Sequence, residues 1–177
     1  MAVPNSARLA RTSDVEVIAD VQRRAWQQAY ANVLPAEALA DLAAADLGLE
    51  WGRAILAGGD HRVFVAIAEG ADEGIVVGVA SVGPGADPDV AADNVGEIGV
   101  LFVDPDHQRV GHGSRLMSAC IDMMRVAGRT ECVTWIPLDD EPRRAFFASA
   151  GWGPDSAYRD LELHDAAVRE VRLVTVL

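Results

Sequence analysis

The sequence predicts a mixed α/β fold in a single domain. Its 177 residues suit one domain better than two, and 50% of them are hydrophobic, which is enough for an independent core. The spacing of the apolar residues changes along the chain, from helical near the amino terminus to strand-like, and then alternates between the two. The resulting order is β-α-α-β-β-β-α-β-α-β-β, with one strand–helix–strand crossover in the middle. We therefore expect a sheet of about seven strands in a domain that spans residues 6–177.

Seven runs have the composition or the alternation of β-strands. The predicted strands are Arg8–Arg11, Arg62–Ala68, Ile75–Val82, Val95–Val103, Cys132–Ile136, Ala157–Leu163 and Val168–Val176. The connection between the second and third strands contains Gly70, Asp72 and Gly74, which indicates a hairpin. Asp104-Pro105 ends the fourth strand.

The predicted helices carry apolar residues three and four positions apart, and each has a start or stop signal. They run from the capping box Ser13–Glu16 to Ala29, from Pro35 to Gly58 with an interruption at Gly48, from the glycine turn before Ser114 to Gly128, and from the N-cap Asp140 to Gly151. The third of these helices presents an apolar face, which is expected of a helix packed on a sheet.

The charge balance excludes several classes of partner. Fifteen basic residues, all of them arginine, stand against 27 acidic residues and give a net charge of −12. Such a chain cannot easily assemble the basic surface that nucleic acids or anionic membranes require, so we expect neither partner. The acidic excess is compatible with a cationic partner such as an amine, although its commoner role is to keep a protein soluble.

The remaining composition is typical of a cytoplasmic protein. The start of the chain has no apolar core of signal-peptide length, and no later run is long enough to span a membrane. Two cysteines, Cys120 and Cys132, do not make a disulfide framework, so a reducing compartment is expected. The four histidines lack metal-ligand spacing, and we expect no metal site. The oligomeric state is left open; a homodimer is the commonest arrangement of soluble oligomers.

The segment Val100–Leu116, with the sequence VLFVDPDHQRVGHGSRL, carries the clearest chemical signal. A strand ends, a turn with two glycines follows, and an amphipathic helix begins, which directs several backbone N–H groups at one point and favours an anion there. Arg109 and Arg115 add positive charge. The chain cannot supply a Walker loop because it has no lysine, and Leu116 breaks the dinucleotide fingerprint GxGxxG. The alternative is an ordinary tight turn.

These residues resemble the GNAT superfamily of N-acetyltransferases. Gln108-Arg109-Val110-Gly111-His112-Gly113 is similar to the superfamily signature Q/R-x-x-G-x-G/A, and it follows a strand that ends in V-x-P, as in that family. The resemblance in element order extends from about Arg8 to Val176. It implies helices on both faces of the sheet and a central pair of strands that splay apart, with acetyl-CoA as cosubstrate and an amine as acceptor.

The resemblance also implies which residues hold acetyl-CoA. The pyrophosphate would lie on the signature loop, formed by Gln108, Arg109, Val110, Gly111, His112, Gly113 and Ser114. The pantetheine arm would lie between the splayed strands, against the backbone of Leu101, Phe102 and Val103, which would polarise the thioester carbonyl. His107 and His112 are expected to be exposed turn residues rather than catalysts.

An amine must lose a proton before or during its attack on a thioester, so a general base is expected. Glu97 interrupts an apolar strand, and simple alternation places it on the same face as Leu101. Family members often have a glutamate here that acts through water, and the alternative for Glu97 is a solvent-facing or ion-paired carboxylate.

The usual acid of the family is absent, because Phe147 stands where a tyrosine is expected, and core packing is the better interpretation of that helix. Tyr30 is the candidate acid. Trp26 and Tyr30 share a face of the first helix and either contact the acceptor or pack on the sheet. Two functions follow from these residues: an amine N-acetyltransferase, or a non-catalytic acyl-CoA-binding or regulatory module on the same fold.

Overall fold

The computed structural model describes residues 4–31, 34–70, 74–89, 93–163 and 166–177. Its strands are β1 (Ser6–Leu9), β2 (Arg62–Ala68), β3 (Ile75–Pro84), β4 (Val95–Val103), β5 (Glu131–Pro137), β6 (Gly153–Leu163) and β7 (Ala166–Val176). Its helices are α1 (Val15–Tyr30), α2 (Ala36–Ala44), α3 (Leu47–Ala57), α4 (His112–Val126) and α5 (Glu141–Ser149). None of the described helices is long and apolar enough to cross a membrane.

The strands form one seven-stranded sheet in the order β1-β2-β3-β4-β5-β7-β6. Five neighbouring pairs are antiparallel, namely β1–β2, β2–β3, β3–β4, β5–β7 and β6–β7. The sixth pair, β4 and β5, runs parallel and is joined through α4. A parallel pair requires such a crossover, because a short turn can only reverse the chain. The mixed sheet of seven strands and the single crossover were both predicted from the sequence.

Helices cover both faces of the sheet, and each face has its own core. On one face, Leu116, Cys120 and Met124 of α4 pack with Phe147 of α5 against β3, β4 and β5. On the other face, α1 and α3 pack against β2 and β3, with Ile18 fully buried. A third, smaller cluster joins the start of α2 to Val168 of β7. These apolar contacts place the carboxyl end of β4 between two layers of helix.

Two helix boundaries differ from the sequence prediction. The predicted capping box Ser13–Glu16 is wrong: a 3-10 turn, Thr12–Asp14, precedes α1, and the buried Asp14 carboxylate accepts from the Arg11 N–H at 2.7 Å. Arg8 also donates to it, at 2.7 and 3.0 Å. Burial alone would raise the pKa of Asp14, but these hydrogen bonds outweigh it and hold the pKa below its usual value.

The expected interruption at Gly48 is also displaced. The break lies at Ala45–Asp46, and Gly48 is inside the first turn of α3. Asp46 starts that helix because its side chain accepts from the Leu49 N–H at 3.0 Å, as an N-cap does. The predicted end of this helix at Gly58 is confirmed, since Gly58 has φ +63° and follows the last helical residue.

Candidate functional site

The candidate site begins where β4 and β5 separate. In the part of the chain that the structure describes, three residue pairs join them, from Val95–Glu131 to Glu97–Val133. The Thr134 hydroxyl then donates to the Ile98 carbonyl at 2.8 Å, and Thr134 is buried. Beyond this point none of the described strands pairs with β4 on that side, so the splayed central pair expected from the resemblance is confirmed. The open edge includes Leu101, Phe102 and Val103, the residues predicted to hold the pantetheine arm.

A β-bulge in β4 changes which of its side chains face α1 and which face α4. Val100 pairs with Ser81 and Ile98 pairs with Val82, so Gly99 is an extra residue in β4. The predicted common face of Glu97 and Leu101 is therefore wrong. A Cβ on Gly96 would lie 2.8 Å from Met124 Cγ, so Gly96 faces α4 and Glu97 faces the α1 side. Leu101 packs with the α4-side core.

The signature loop has the geometry of an anion-binding turn. Arg109 and Gly111 both have left-handed backbone conformations, with φ of +65° and +90°. The first backbone hydrogen bond of α4 runs from the Arg115 N–H to the Gly111 carbonyl at 3.1 Å. The preceding N–H groups, those of His112, Gly113 and Ser114, are consequently left for a ligand at the positive end of the helix dipole.

Arg115 folds back over this loop. Its Nη1 donates to the Val110 carbonyl at 3.2 Å, and a Cβ on Gly111 would lie 2.7 Å from that nitrogen. The positive φ is the reason for glycine at 111, because the exposed Arg115 side chain can move away from a Cβ. Arg109, Val110 and Arg115 are all exposed, so the loop is open to solvent.

Arg24, Gln28 and Asp104 hold the loop in place, and none of them was predicted as a site residue. The buried Asp104 carboxylate accepts from Arg24 Nε at 2.8 Å and from the Asp106 N–H at 3.0 Å. Gln108 Nε2 donates to the Val103 carbonyl at 3.2 Å and to Gln28 Oε1 at 3.1 Å. Arg24 and Gln28 lie one turn apart on α1, and their i,i+4 spacing was the only available signal.

Asp104 remains charged in this setting. Burial alone would raise the pKa of Asp104, but the hydrogen bonds from the Asp106 N–H and from Arg24 outweigh it and hold the pKa below its usual value. The carboxylate thereby ties α1 to the start of the signature loop.

The expectation that His112 is exposed is wrong. Its side chain is only 2% exposed, because it lies on the inward face of the first turn of α4, four residues before the buried Leu116. Burial lowers the pKa of His112, and repulsion from Arg115 and His107 lowers it further. His112 is therefore neutral at pH 7. Its backbone N–H, rather than its imidazole, is the group available to an anion.

Glu97 is half-buried at the base of the open edge. Its Oε2 accepts from the Ala86 N–H at 3.1 Å. Among the residues that the structure describes, no other hydrogen bond to this carboxylate is formed, which leaves Oε1 available to a water molecule or an amine. Ala86 belongs to the connection between β3 and β4, so this connection positions one oxygen of the carboxylate.

Aromatic side chains and an arginine line the α1 side of the open edge. The rings of Trp26 and Phe102 are perpendicular, with 6.3 Å between their centroids. Arg143 of α5 lies over Phe102, 4.9 Å from its centroid, and contacts Asp140 Oδ2 at 3.2 Å. Tyr30 packs against the cluster at Val168, and Arg143 is close enough to influence its ionisation. Burial raises the pKa of Tyr30, although Arg143 opposes part of that change, so the phenol stays protonated at neutral pH.

Helix α5 supplies packing rather than an acid. Asp140 Oδ1 accepts from the Arg143 N–H at 3.0 Å, which confirms its predicted role as N-cap. Phe147 is fully buried, 5.4 Å from Phe146 and 5.1 Å from Trp152 between ring centroids. The predicted core role of Phe147 is therefore confirmed.

A family model described as Acetyltransferase (GNAT) family matches residues 20–152, which include β4, the signature loop and α5. The chain belongs to the GNAT family. An uncharacterized N-acetyltransferase of Bacillus subtilis (strain 168), YuaI, is 26% identical to this GNAT chain over 169 residues, which cover 95% of this chain and 91% of that protein.

Solved structures show the same fold at low identity. The PaiA N-acetyltransferase of Thermoplasma acidophilum, in complex with coenzyme A, matches with a TM-score of 0.74 and 14% identity, covering 99% of this chain and 100% of that one. A GCN5-related N-acetyltransferase of Rhodopseudomonas palustris gives 0.75 and 18%, with coverage of 100% and 98%. YncA of Salmonella typhimurium, with its cofactor acetyl-CoA, gives 0.68 and 19%, with coverage of 99% and 95%. Two of these GNAT neighbours thus contain CoA or acetyl-CoA, in agreement with the predicted cosubstrate.

Proposed function

We propose that this GNAT chain transfers the acetyl group of acetyl-CoA to an amine by direct attack in a ternary complex. The observation that carries the proposal is the combination of an open β4 edge, a loop of free N–H groups at its end and a carboxylate at its base. Beyond Glu97 no described strand pairs with β4 on the β5 side, which would leave its backbone to an extended pantetheine chain, and the N–H groups of residues 112–114 suit a pyrophosphate.

In this reaction the amine nitrogen attacks the thioester carbonyl carbon, a C–N bond forms and the C–S bond breaks. Backbone groups of Leu101, Phe102 and Val103 would stabilise the developing oxyanion. The proton of the amine passes to Glu97 through a water on Oε1, and the CoA thiolate takes up a proton. Tyr30 is a candidate donor because its phenol is protonated at neutral pH. The products are an N-acetyl amide and CoA with a free thiol.

The acceptor would approach from the α1 side of the sheet. The bulge at Gly99 places Glu97 on that side, and Trp26 and Tyr30 lie there as well. Deprotonation of the amine and its attack on the thioester would then occur on the same side of the β4 edge, with the acceptor against the aromatic residues of α1.

Replacing Glu97 by Gln tests this role. CoA affinity, measured by calorimetry, should stay within twofold, whereas thiol release with a responsive amine should fall by about 100-fold or more, the usual contribution of a general base. Glu50→Gln is the matched control, because Glu50 is 70% exposed on α3 and its pairing with Arg53 is loose at 3.6 Å. Wild-type turnover in the Glu97 variant would contradict the assignment of the base. CoA binding without turnover across a broad amine panel would instead favour the non-catalytic acyl-CoA-binding module.

A further inference from the structure

The buried Arg172 of β7 forms ion pairs with Asp87 and Asp89, which lie in the connection between β3 and β4. Arg172 has a side chain that is only 8% exposed, and it contacts three carboxylates. Its nitrogens lie 3.3 Å from Asp87, 2.8 Å from Asp89 and 2.8 Å from Asp155. These four residues are called the Arg172 clamp. Because the pairing favours the charged guanidinium, with Asp89 contributing most, the pKa of Arg172 is raised.

Trp135 of β5 also binds Asp87. Its Nε1 donates to Asp87 Oδ2 at 3.0 Å, and Trp135 is opposite Arg172 in the β5–β7 register. The guanidinium groups of Arg159 and Arg172 lie over its ring, 4.5 and 5.6 Å from the centroid. Asp87 Oδ2 consequently accepts from two donors, the indole N–H of Trp135 and the buried guanidinium of Arg172.

The hydrogen bonds to Asp87 are one residue away from the hydrogen bond to Glu97. Ala86, whose N–H donates to Glu97 Oε2, is the residue next to Asp87. Consecutive Cα atoms are about 3.8 Å apart, so fixing the Asp87 side chain restrains the backbone of the neighbouring Ala86, including the N–H that Glu97 accepts. Arg172 and Trp135 face the α1 side, as Glu97 does, because their neighbours Leu173 and Ile136 pack in the α4-side core.

We propose that Trp135 and Arg172 are positioning residues for the Glu97 carboxylate, acting through Asp87 and the Ala86 N–H. The inference rests on the proposed function, in which Glu97 accepts the proton of the amine. Neither residue touches the reacting atoms in this scheme. Their effect is to keep Oε2 in a fixed hydrogen bond, so that Oε1 has one orientation toward the acceptor.

The first test is Trp135→Phe, which removes the indole N–H and keeps an aromatic ring beneath the two guanidinium groups. At saturating acetyl-CoA and acceptor, kcat should fall about tenfold, while the acceptor KM and CoA affinity stay within twofold. Asp160→Asn is the control: it breaks a two-bond ion pair with Arg169 on the exposed β6–β7 hairpin, and kcat should not change. An unchanged kcat in Trp135→Phe overturns the proposal.

A double-mutant cycle separates positioning from general destabilisation. In a Glu97→Gln background, Trp135→Phe should change the residual rate by less than twofold, because the group that it positions is already lost. An equal tenfold loss in both backgrounds would overturn the proposal. If Glu97→Gln itself turns over at the wild-type rate, the proposed base is wrong, a result distinct from a failure of the positioning role alone.

Hydrogen exchange supplies a measurement that needs no acceptor. In Trp135→Phe, the peptide that spans residues 85–89 should exchange at least several-fold faster than in the wild type, and in Asp160→Asn it should not. Unchanged exchange in Trp135→Phe overturns the proposal. Asp87→Ala serves as the second variant if Trp135→Phe does not fold, because Arg172 keeps two carboxylate partners, and the same kcat loss and faster exchange are expected.

Discussion

The hydroxyl of Thr134 is located where β4 and β5 separate, and its removal is expected to have a measurable cost. In Thr134→Val the side chain keeps its shape, so packing is preserved while the 2.8 Å hydrogen bond to the Ile98 carbonyl is lost. Thr134 is 3% exposed, so water cannot readily replace the hydroxyl. A buried carbonyl left without its partner costs about 1–2 kcal/mol in the free energy of unfolding.

The measurement is urea unfolding followed by far-UV circular dichroism, with thermal melting as a second readout. For a domain of this size, about 1 kcal/mol corresponds to roughly 2–4 °C in Tm, so a decrease of roughly 2–8 °C is expected. Thr175→Val is the matched control, because the hydrogen bond of the Thr175 hydroxyl to a described residue is exposed and long, at 3.5 Å. The free energy of unfolding should change by less than about 0.5 kcal/mol in this variant. If Thr134→Val were as stable as Thr175→Val, the hydroxyl would not be what stabilises the end of the β4–β5 pairing.

Two further predictions concern glycines and thiols. Gly96→Ala should lower the free energy of unfolding in urea by about 1–3 kcal/mol, because the new Cβ would overlap the fully buried Met124 side chain. Gly52→Ala should raise it by roughly 0.5–1 kcal/mol, because Gly52 is inside α3 and has open space around it. A loss of stability in Gly52→Ala would contradict that argument. Cys120 and Cys132 should not react with a thiol reagent at pH 8 in the native state, since both are buried and burial raises the pKa of both thiols, that of Cys132 to about 12. Mass spectrometry should show two modified thiols only after unfolding. If the native protein were labelled as fast as an exposed thiol, the burial of these side chains would be refuted.

The strands that lie in the middle of the sheet were predictable because their composition and their end signals agree. Arg62–Ala68 and Val95–Val103 have the predicted bounds, since β-branched runs end there at turn residues. β6 begins at Gly153, four residues earlier than predicted. Its first part is irregular, with a register shift between Pro154 and Tyr158 and a positive φ at Ser156, and such a segment has no strand-like alternation to detect.

The site was predictable only where its residues are close together in the sequence. The signature loop is local in sequence, so its glycines, its arginines and its place between a strand and a helix could all be recognised. The face on which Glu97 lies depends on a single extra residue, and Gly99 offered only a general sign of a bulge. The Arg172 clamp joins residues 85 positions apart, and no periodicity within either segment indicates that Arg172 and Asp87 meet.

The distribution of charge reconciles the acidic composition with a phosphate-bearing cosubstrate. Many arginines of this chain are paired with carboxylates within 3.2 Å, among them Arg8, Arg24, Arg143, Arg159, Arg169 and Arg172. Arg109 and Arg115 differ, since neither forms an ion pair with a described carboxylate, and both are exposed beside the free N–H groups at the start of α4. Their charges therefore add to the positive end of the α4 dipole, although the net charge is −12. A compact anion can bind at such a point, whereas an extended polyanion would also meet the acidic remainder of the surface.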